Sequence, residues 1–270
     1  MPHFEKMLII GCGNMGGAML AGWLAAGESA ARFTVLDPQL DAAPEGVELI
    51  RDASEAGSHD CVLLGFKPQQ LGAIAPGIQS LTGPEVTVFS LLAGLDRATL
   101  RDAFPAAHAH VRVMPNLASR IGKSPVILCE SGLTESEKPA ALDVFGKLGT
   151  ALWLDDERKF DIVTALAGSG PGFVYRFIDA LASAAVSLGV EPDMADSLAL
   201  ATVEGSAALA AGADISPGEL ADRVASPGGM TREGLNILDA DNALKNLLVE
   251  TLRATADKGA ELGRGAAKQP

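Results

Sequence analysis

The segment Met7-Leu8-Ile9-Ile10-Gly11-Cys12-Gly13-Asn14-Met15-Gly16 restricts the possible folds more than any other part of the chain. Four apolar residues in a row read as a strand buried on both faces, and the helix formers from Ala18 to Ala26, ended by Gly27, read as a helix. The spacing G-x-G-x-x-G falls on the turn between them. A chain with 30 glycines produces such spacings by chance, so the flanking strand and helix are what give this one weight. In a turn of this kind Gly11 makes the tight bend, Gly13 lets the backbone approach a pyrophosphate, and Gly16 lets helix and strand pack closely. The free N–H groups at the helix start, at Asn14 and Met15, then face the phosphates.

The next strand, Phe33–Leu36, ends in Asp37, about 20 residues beyond the glycine turn, where a dinucleotide fold places its ribose-binding carboxylate. Such a group holds the ribose hydroxyls of NADH and repels the 2′-phosphate of NADPH; alternatively Asp37-Pro38 merely begins a turn. Apolar runs follow at Cys61–Leu64, Val86–Leu91 and Val111–Met114, alternating with helical stretches at Gln69–Ile74 and Arg97–Phe104. Strands buried on both faces and separated by helices predict a parallel sheet with right-handed crossovers, an α/β Rossmann-type dinucleotide-binding domain. Gly122-Lys123-Ser124 resembles the end of a phosphate-binding loop, but Leu117 stands where that loop needs glycine.

From Lys159 onward the pattern changes to Ala- and Leu-rich helical stretches: Lys159–Ala167, Gly172–Leu188, Met194–Ala211, Pro217–Ala225, Thr231–Leu238 and Ala243–Leu262. Their turn signals are Gly168-Ser169-Gly170-Pro171-Gly172 and Ser226-Pro227-Gly228-Gly229. With the boundary in Asp155–Lys159, after the strand-like Ala151–Leu154, the expected domains are 1–156, dinucleotide-binding, and 157–270, all-α. The stretch Met194–Ala211 is apolar on most sides and needs cover on most sides, which predicts at least a homodimer.

Aromatics are only 4% of the chain, so Ala, Leu and Val are expected to fill the core. A balance of 21 Lys plus Arg against 34 Asp plus Glu, net −13 with no basic run longer than two residues, argues against nucleic acid as a partner. Cys12, Cys61 and Cys129 are widely spaced, without the Cys-x-x-Cys pairs of a zinc site, and read as reduced thiols in a cytoplasmic protein with no metal. Leu8-Ile9-Ile10-Gly11-Cys12 imitates a lipoprotein cleavage box. The apolar run before it is too short for an export signal, and no run approaches the roughly 20 residues of a membrane span.

Five segments together resemble the pyrroline-5-carboxylate reductase family: Ile10-Gly11-Cys12-Gly13-Asn14-Met15-Gly16, Phe66-Lys67-Pro68-Gln69, Arg112-Val113-Met114-Pro115-Asn116, Ala167-Gly168-Ser169-Gly170-Pro171 and Ser226-Pro227-Gly228-Gly229-Met230-Thr231. The resemblance runs from Leu8 to about Leu262. It implies a Rossmann domain followed by a helical dimerisation domain, and hydride transfer from NADPH or NADH to 1-pyrroline-5-carboxylate, giving L-proline. By position, Gly228, Gly229, Met230 and Thr231 would bind the substrate carboxylate, and Lys67, Pro68, Ala93 and Gly94 would line the nicotinamide side. Small residues leading into a helix offer N–H groups and the positive end of its dipole to a carboxylate. Thr231 is the candidate catalytic hydroxyl, or else a helix cap. The family's usual Thr-Pro after Met-Pro-Asn is Leu117-Ala118 here, and its usual threonine before Thr231 is Met230, which leaves only backbone contact there.

A β-hydroxyacid dehydrogenase has the same two-domain plan, but its catalytic lysine has no counterpart on the helix from Gly172 to Leu188. A non-catalytic NAD(P)-sensing protein would have no use for a second anion site.

Overall fold

The computed structural model describes residues 3–266. Two compact units divide the chain, one of residues 1–169 and 255–270, the other of 170–254. The first contains β1 (Met7–Ile10), α1 (Asn14–Ala25), β2 (Phe33–Leu36), β3 (Glu48–Ile50), β4 (Cys61–Leu64), α2 (Leu71–Ile78), β5 (Thr87–Ser90), α3 (Arg97–Ala103), β6 (Ala109–Met114), β7 (Ser124–Ser131), α4 (Glu137–Gly146), β8 (Gly149–Trp153) and α5 (Phe160–Ala167). The second contains α6 (Gly170–Ser187), α7 (Pro192–Ala211), α8 (Pro217–Val224), α9 (Met230–Asp239) and the start of α10 (Ala243–Ala266), which ends in the first.

The sheet has the order β3-β2-β1-β4-β5-β6-β7-β8. The chain reverses its winding direction between β1 and β4, so a crevice opens beyond the carboxyl ends of these strands. The expected parallel sheet needs one correction, because β6 and β7 pair antiparallel, with Val111 opposite Glu130 and Val113 opposite Leu128. Their connection, Pro115–Lys123, holds only a 3-10 turn, and a parallel return needs about a dozen residues or more. Three elements escape the sequence pattern. β3 is a short strand at the sheet edge with Glu48 exposed, β7 carries Pro125 near its start, and α4 carries Pro139.

Scarce as they are, the aromatics occupy the centre of one layer of the core. Trp23 stacks on Phe33 at 5.3 Å, Phe89 meets Phe145 edge-on at 4.9 Å, and the Trp23 indole N–H donates to the Val144 carbonyl at 2.8 Å. The opposite layer is aliphatic, with Leu8, Ile10, Val62, Leu64, Val88 and Leu100 around Phe104. Glu157 fastens α3 to β6 by accepting from Arg97 at 2.9 Å and Arg112 at 3.0 Å, and the Arg112 guanidinium lies 3.6 Å above the Phe160 ring.

In the second unit α6 and α7 meet through Ala182, Ala195 and Ala199. Small side chains bring the two helices close but remove little apolar area from water. Leu198 is 57% exposed and Leu209 75%, and α8 and α9 bury no residue fully. Among the described residues, no helix is long and apolar enough to cross a membrane, and no cluster of His, Cys, Asp and Glu is arranged to hold a metal.

Candidate active site

The glycine loop after β1 is shaped by close backbone approach. Gly11 has φ +83°, and a Cβ there would stand 2.8 Å from the Phe66 nitrogen. A Cβ on Gly65 would stand 2.3 Å from the Gly11 carbonyl oxygen, and one on Gly16 2.9 Å from it. Gly13 faces open space, with no atom within 4 Å of where its Cβ would be. It also caps α1 without any side-chain hydrogen bond. The N–H groups of the first helical turn, at Asn14, Met15 and Gly16, therefore have no partner inside the helix and sit at the positive end of its dipole.

A cavity of about 450 Å³ opens beside this loop, lined by Gly11, Gly13, Asp37 and Lys67 among the expected residues and by Gln39, Arg51, Gly65 and Phe66 among others. Asp37 has a definite task here. Its two carboxylate oxygens accept the Cys12 N–H and the Gln39 N–H, each at 2.9 Å, so it begins the turn after β2 and also latches the glycine loop. Burial, with the Asp37 carboxylate nearby, pushes the Cys12 thiol up to about 11 and keeps it neutral. An uncapped helix start, open space at Gly13 and an adjoining cavity of this volume fit a dinucleotide.

The other expected residues lie outside the cavity lining. Pro68 opens a 3-10 turn whose Gln70 side chain accepts from the Lys67 N–H at 3.1 Å. Ala93 and Gly94 form the turn after β5, where Gly94 has φ +78° and packs so closely on α10 that a Cβ would stand 2.7 Å from the Gly263 Cα. Asn116 is structural: its side chain donates to the Ala167 carbonyl at 2.9 Å and accepts from the Ala118 N–H at 2.9 Å.

In the second unit, the segment Ser226–Thr231 forms another amide-lined helix start. Gly228 has φ +70°, a conformation that side chains disfavour, and a Cβ on Gly229 would meet the Ser226 Oγ at 2.6 Å. Gly229 is the N-cap of α9 and has no side-chain cap bond. The alternative of Thr231 as a cap is thereby corrected. Thr231 lies inside the first turn, exposed, and no protein group among the described residues bonds its hydroxyl. Met230 is 94% exposed and offers only its backbone to the turn. Arg232 steadies the turn by donating to Asp222 at 2.7 Å and to the Ala225 carbonyl at 3.4 Å.

Arg51, Gln39 and Gly65 were not expected from the sequence. Arg51 directly follows β3, the weak edge strand, so its place in the cavity depends on a strand that no pattern announces. Gly65 follows β4 as Gly11 follows β1, and that repetition of strand then glycine was the available signal.

Comparison with known proteins adds to this geometry. A family model for the pyrroline-5-carboxylate reductase dimerisation domain matches residues 157–262, and one described as a coenzyme-F420-dependent NADP oxidoreductase matches residues 6–94. A pyrroline-5-carboxylate reductase of Methanosarcina acetivorans is 33% identical, covering 96% of this chain and 98% of its own. The solved structure of such a reductase from Coxiella burnetii superposes with a TM-score of 0.89 at 28% identity, covering 96% of this chain and 99% of that one. The Plasmodium falciparum enzyme, solved with NADP bound, gives a TM-score of 0.82 at 26% identity, covering 96% and 98%. With a glycine loop at an uncapped helix start in the first unit, a second uncapped helix start in the other, and likeness over nearly the whole length, this chain belongs to the pyrroline-5-carboxylate reductase family.

Proposed function

We propose that the chain reduces 1-pyrroline-5-carboxylate to L-proline, the last step of proline biosynthesis, with the residues of its two helix starts in separate roles. The observation that carries this is the uncapped start of α9 with the unpartnered Thr231 hydroxyl beside it, in a chain that also has a dinucleotide cradle. Gly11, Gly13, Asn14, Met15 and Gly16 hold the pyrophosphate, Asp37 shapes the adenosine end, and Lys67, Pro68, Ala93 and Gly94 border the nicotinamide. When bound, NADPH or NADH supplies the hydride. The backbone amides of Gly228, Gly229, Met230 and Thr231 receive the substrate carboxylate, a contact that a helix start stabilises by about 0.3–2 kcal/mol. The Thr231 hydroxyl oxygen accepts a hydrogen bond from the protonated ring nitrogen. A protonated imine accepts hydride readily, so orientation is the protein's main contribution, and orientation lowers barriers by several kcal/mol.

The same reading assigns residues 1–156 to the cofactor and 157–270 to substrate binding and dimerisation; the outermost residues of both ranges lie outside the described ones. The span of the dimerisation family model supports this division. A homodimer, with or without higher assembly, supplies the cover that the second unit lacks. Three free, buried cysteines support a cytoplasmic setting. Oxidation of NADPH or NADH, followed by absorbance on adding pyrroline-5-carboxylate, tests the reading, and absence of turnover with both cofactors refutes it.

A further inference from the structure

The cavity beside the glycine loop is lined by a carboxylate, Asp37, and a guanidinium, Arg51, and they are differently occupied. Both Asp37 oxygens accept backbone N–H groups, one from the glycine loop and one from its own turn. The Arg51 guanidinium instead lies across the turn after β2, donating to the Asp37 carbonyl at 2.8 Å and to the Asp41 carbonyl at 3.4 Å. Two of its N–H donors are thereby used and the rest stay available. Arg51 is exposed on the cavity wall, and among the described residues no carboxylate lies within ion-pair distance of it. Its backbone is stapled, because the Glu55 carboxylate accepts the Arg51 N–H at 3.0 Å and the Asp52 N–H at 2.7 Å. The Asp52 carboxylate, also on the wall, is turned to the Ser54 amide and hydroxyl. The result is a cation without a carboxylate partner among the described residues, held on the wall of the cavity beside the glycine loop.

We propose that Arg51 selects the cofactor: its guanidinium receives the 2′-phosphate of NADPH, while Asp37 is committed to latching the glycine loop. A planar guanidinium with spare N–H donors suits a phosphate, and it offsets the repulsion that Asp37 alone would exert. The inference rests on the dinucleotide reading of the cavity and extends it to a preference for the phosphorylated cofactor.

The test compares binding of adenosine 2′,5′-bisphosphate and adenosine 5′-monophosphate by titration calorimetry, alongside the ratio of kcat/KM for NADPH over NADH. The wild type is expected to bind the bisphosphate more tightly. Arg51→Gln is expected to weaken that binding, and to lower the cofactor ratio, by about tenfold or more, as loss of a charged hydrogen bond implies. Arg51→Lys, which keeps the charge, is expected to recover part of both losses. Equal affinities in the wild type, a ratio unmoved by Arg51→Gln, or Lys behaving like Gln would overturn the proposal, the last by showing that Arg51 only supports the turn. Failure of the reductase reading would look different, as absent turnover in the wild type with both cofactors while the nucleotide titrations still report on Arg51.

Discussion

In the first unit Trp23, Phe33, Phe89 and Phe145 meet in a sealed layer, and a second aliphatic layer covers the other face of the sheet. In the second, among the described residues, the buried side chains are four alanines, Ala182, Ala195, Ala199 and Ala225, while Leu198, Leu200, Leu209, Ile237 and Leu247 face outward. Each leucine taken from water contributes about 1.5–3 kcal/mol, so the first unit carries its own stabilisation and the second requires another surface against its helices. A match to a dimerisation family model over residues 157–262 accords with a homo-oligomer. An apolar helix that looks under-packed in one chain is thus read as half of an interface.

The strongest way to break this contrast is to deny the second unit its cover. The double variant Leu198→Glu, Leu209→Glu is expected to dissociate the oligomer and melt helices of residues 170–254, seen as a lower mass by light scattering and reduced far-ultraviolet dichroism. For the wild type the melting temperature should rise with protein concentration, because association is linked to folding; a concentration-independent value would contradict a shared core. Trp23→Ala probes the other side of the comparison. It should cost about 3–5 kcal/mol in the first unit by leaving a cavity, with the oligomer mass unchanged.

Glu157→Ala leaves the buried Arg112 without its partner and should destabilise by about 3 kcal/mol in denaturant unfolding. Burial pulls the Glu157 carboxyl upward, but the bonds from Arg97 and Arg112 outweigh it and hold it below its ordinary value of 4.5. Its contribution is therefore present above that value and is lost as pH falls through the lower folded one. Acidification below about pH 4.5 should lower the melting temperature of the wild type more than that of the variant. The smallest effect on folding is expected from Thr231→Ala, within about 0.5 kcal/mol for an exposed side chain that caps nothing. Turnover should nevertheless fall by about tenfold, the loss of one hydrogen bond to the reacting ring. Unchanged kcat would remove Thr231 from the chemistry.

Legibility in the sequence followed the range of the interactions involved. β1, α1, β2 and β4 announce themselves because apolar runs and glycines act on neighbouring residues. β3 and β7 do not, since an edge strand with Glu48 and a strand entered through Pro125 are held by their sheet partners rather than by local preference. At the site, Gly11, Gly13 and Gly16 were readable because turn geometry dictates glycine. Asp37 was only half readable. Its distance from the glycine turn marked it as important, but its bond from the Cys12 N–H depends on where Cys12 lies in space.

The residues by themselves determined the alternation of strand and helix, the glycine loop, the switch to an all-helical second half and the glycine turn at Ser226–Thr231. Each of these rests on local periodicity or on backbone conformations available to few residue types. The tertiary structure alone decided that β7 runs antiparallel to β6, that Asp37 accepts the Cys12 N–H, and that Arg51 lines the cavity beside the glycine loop. Those outcomes depend on distances between residues far apart in the chain, which only the packed sheet and its turns bring together.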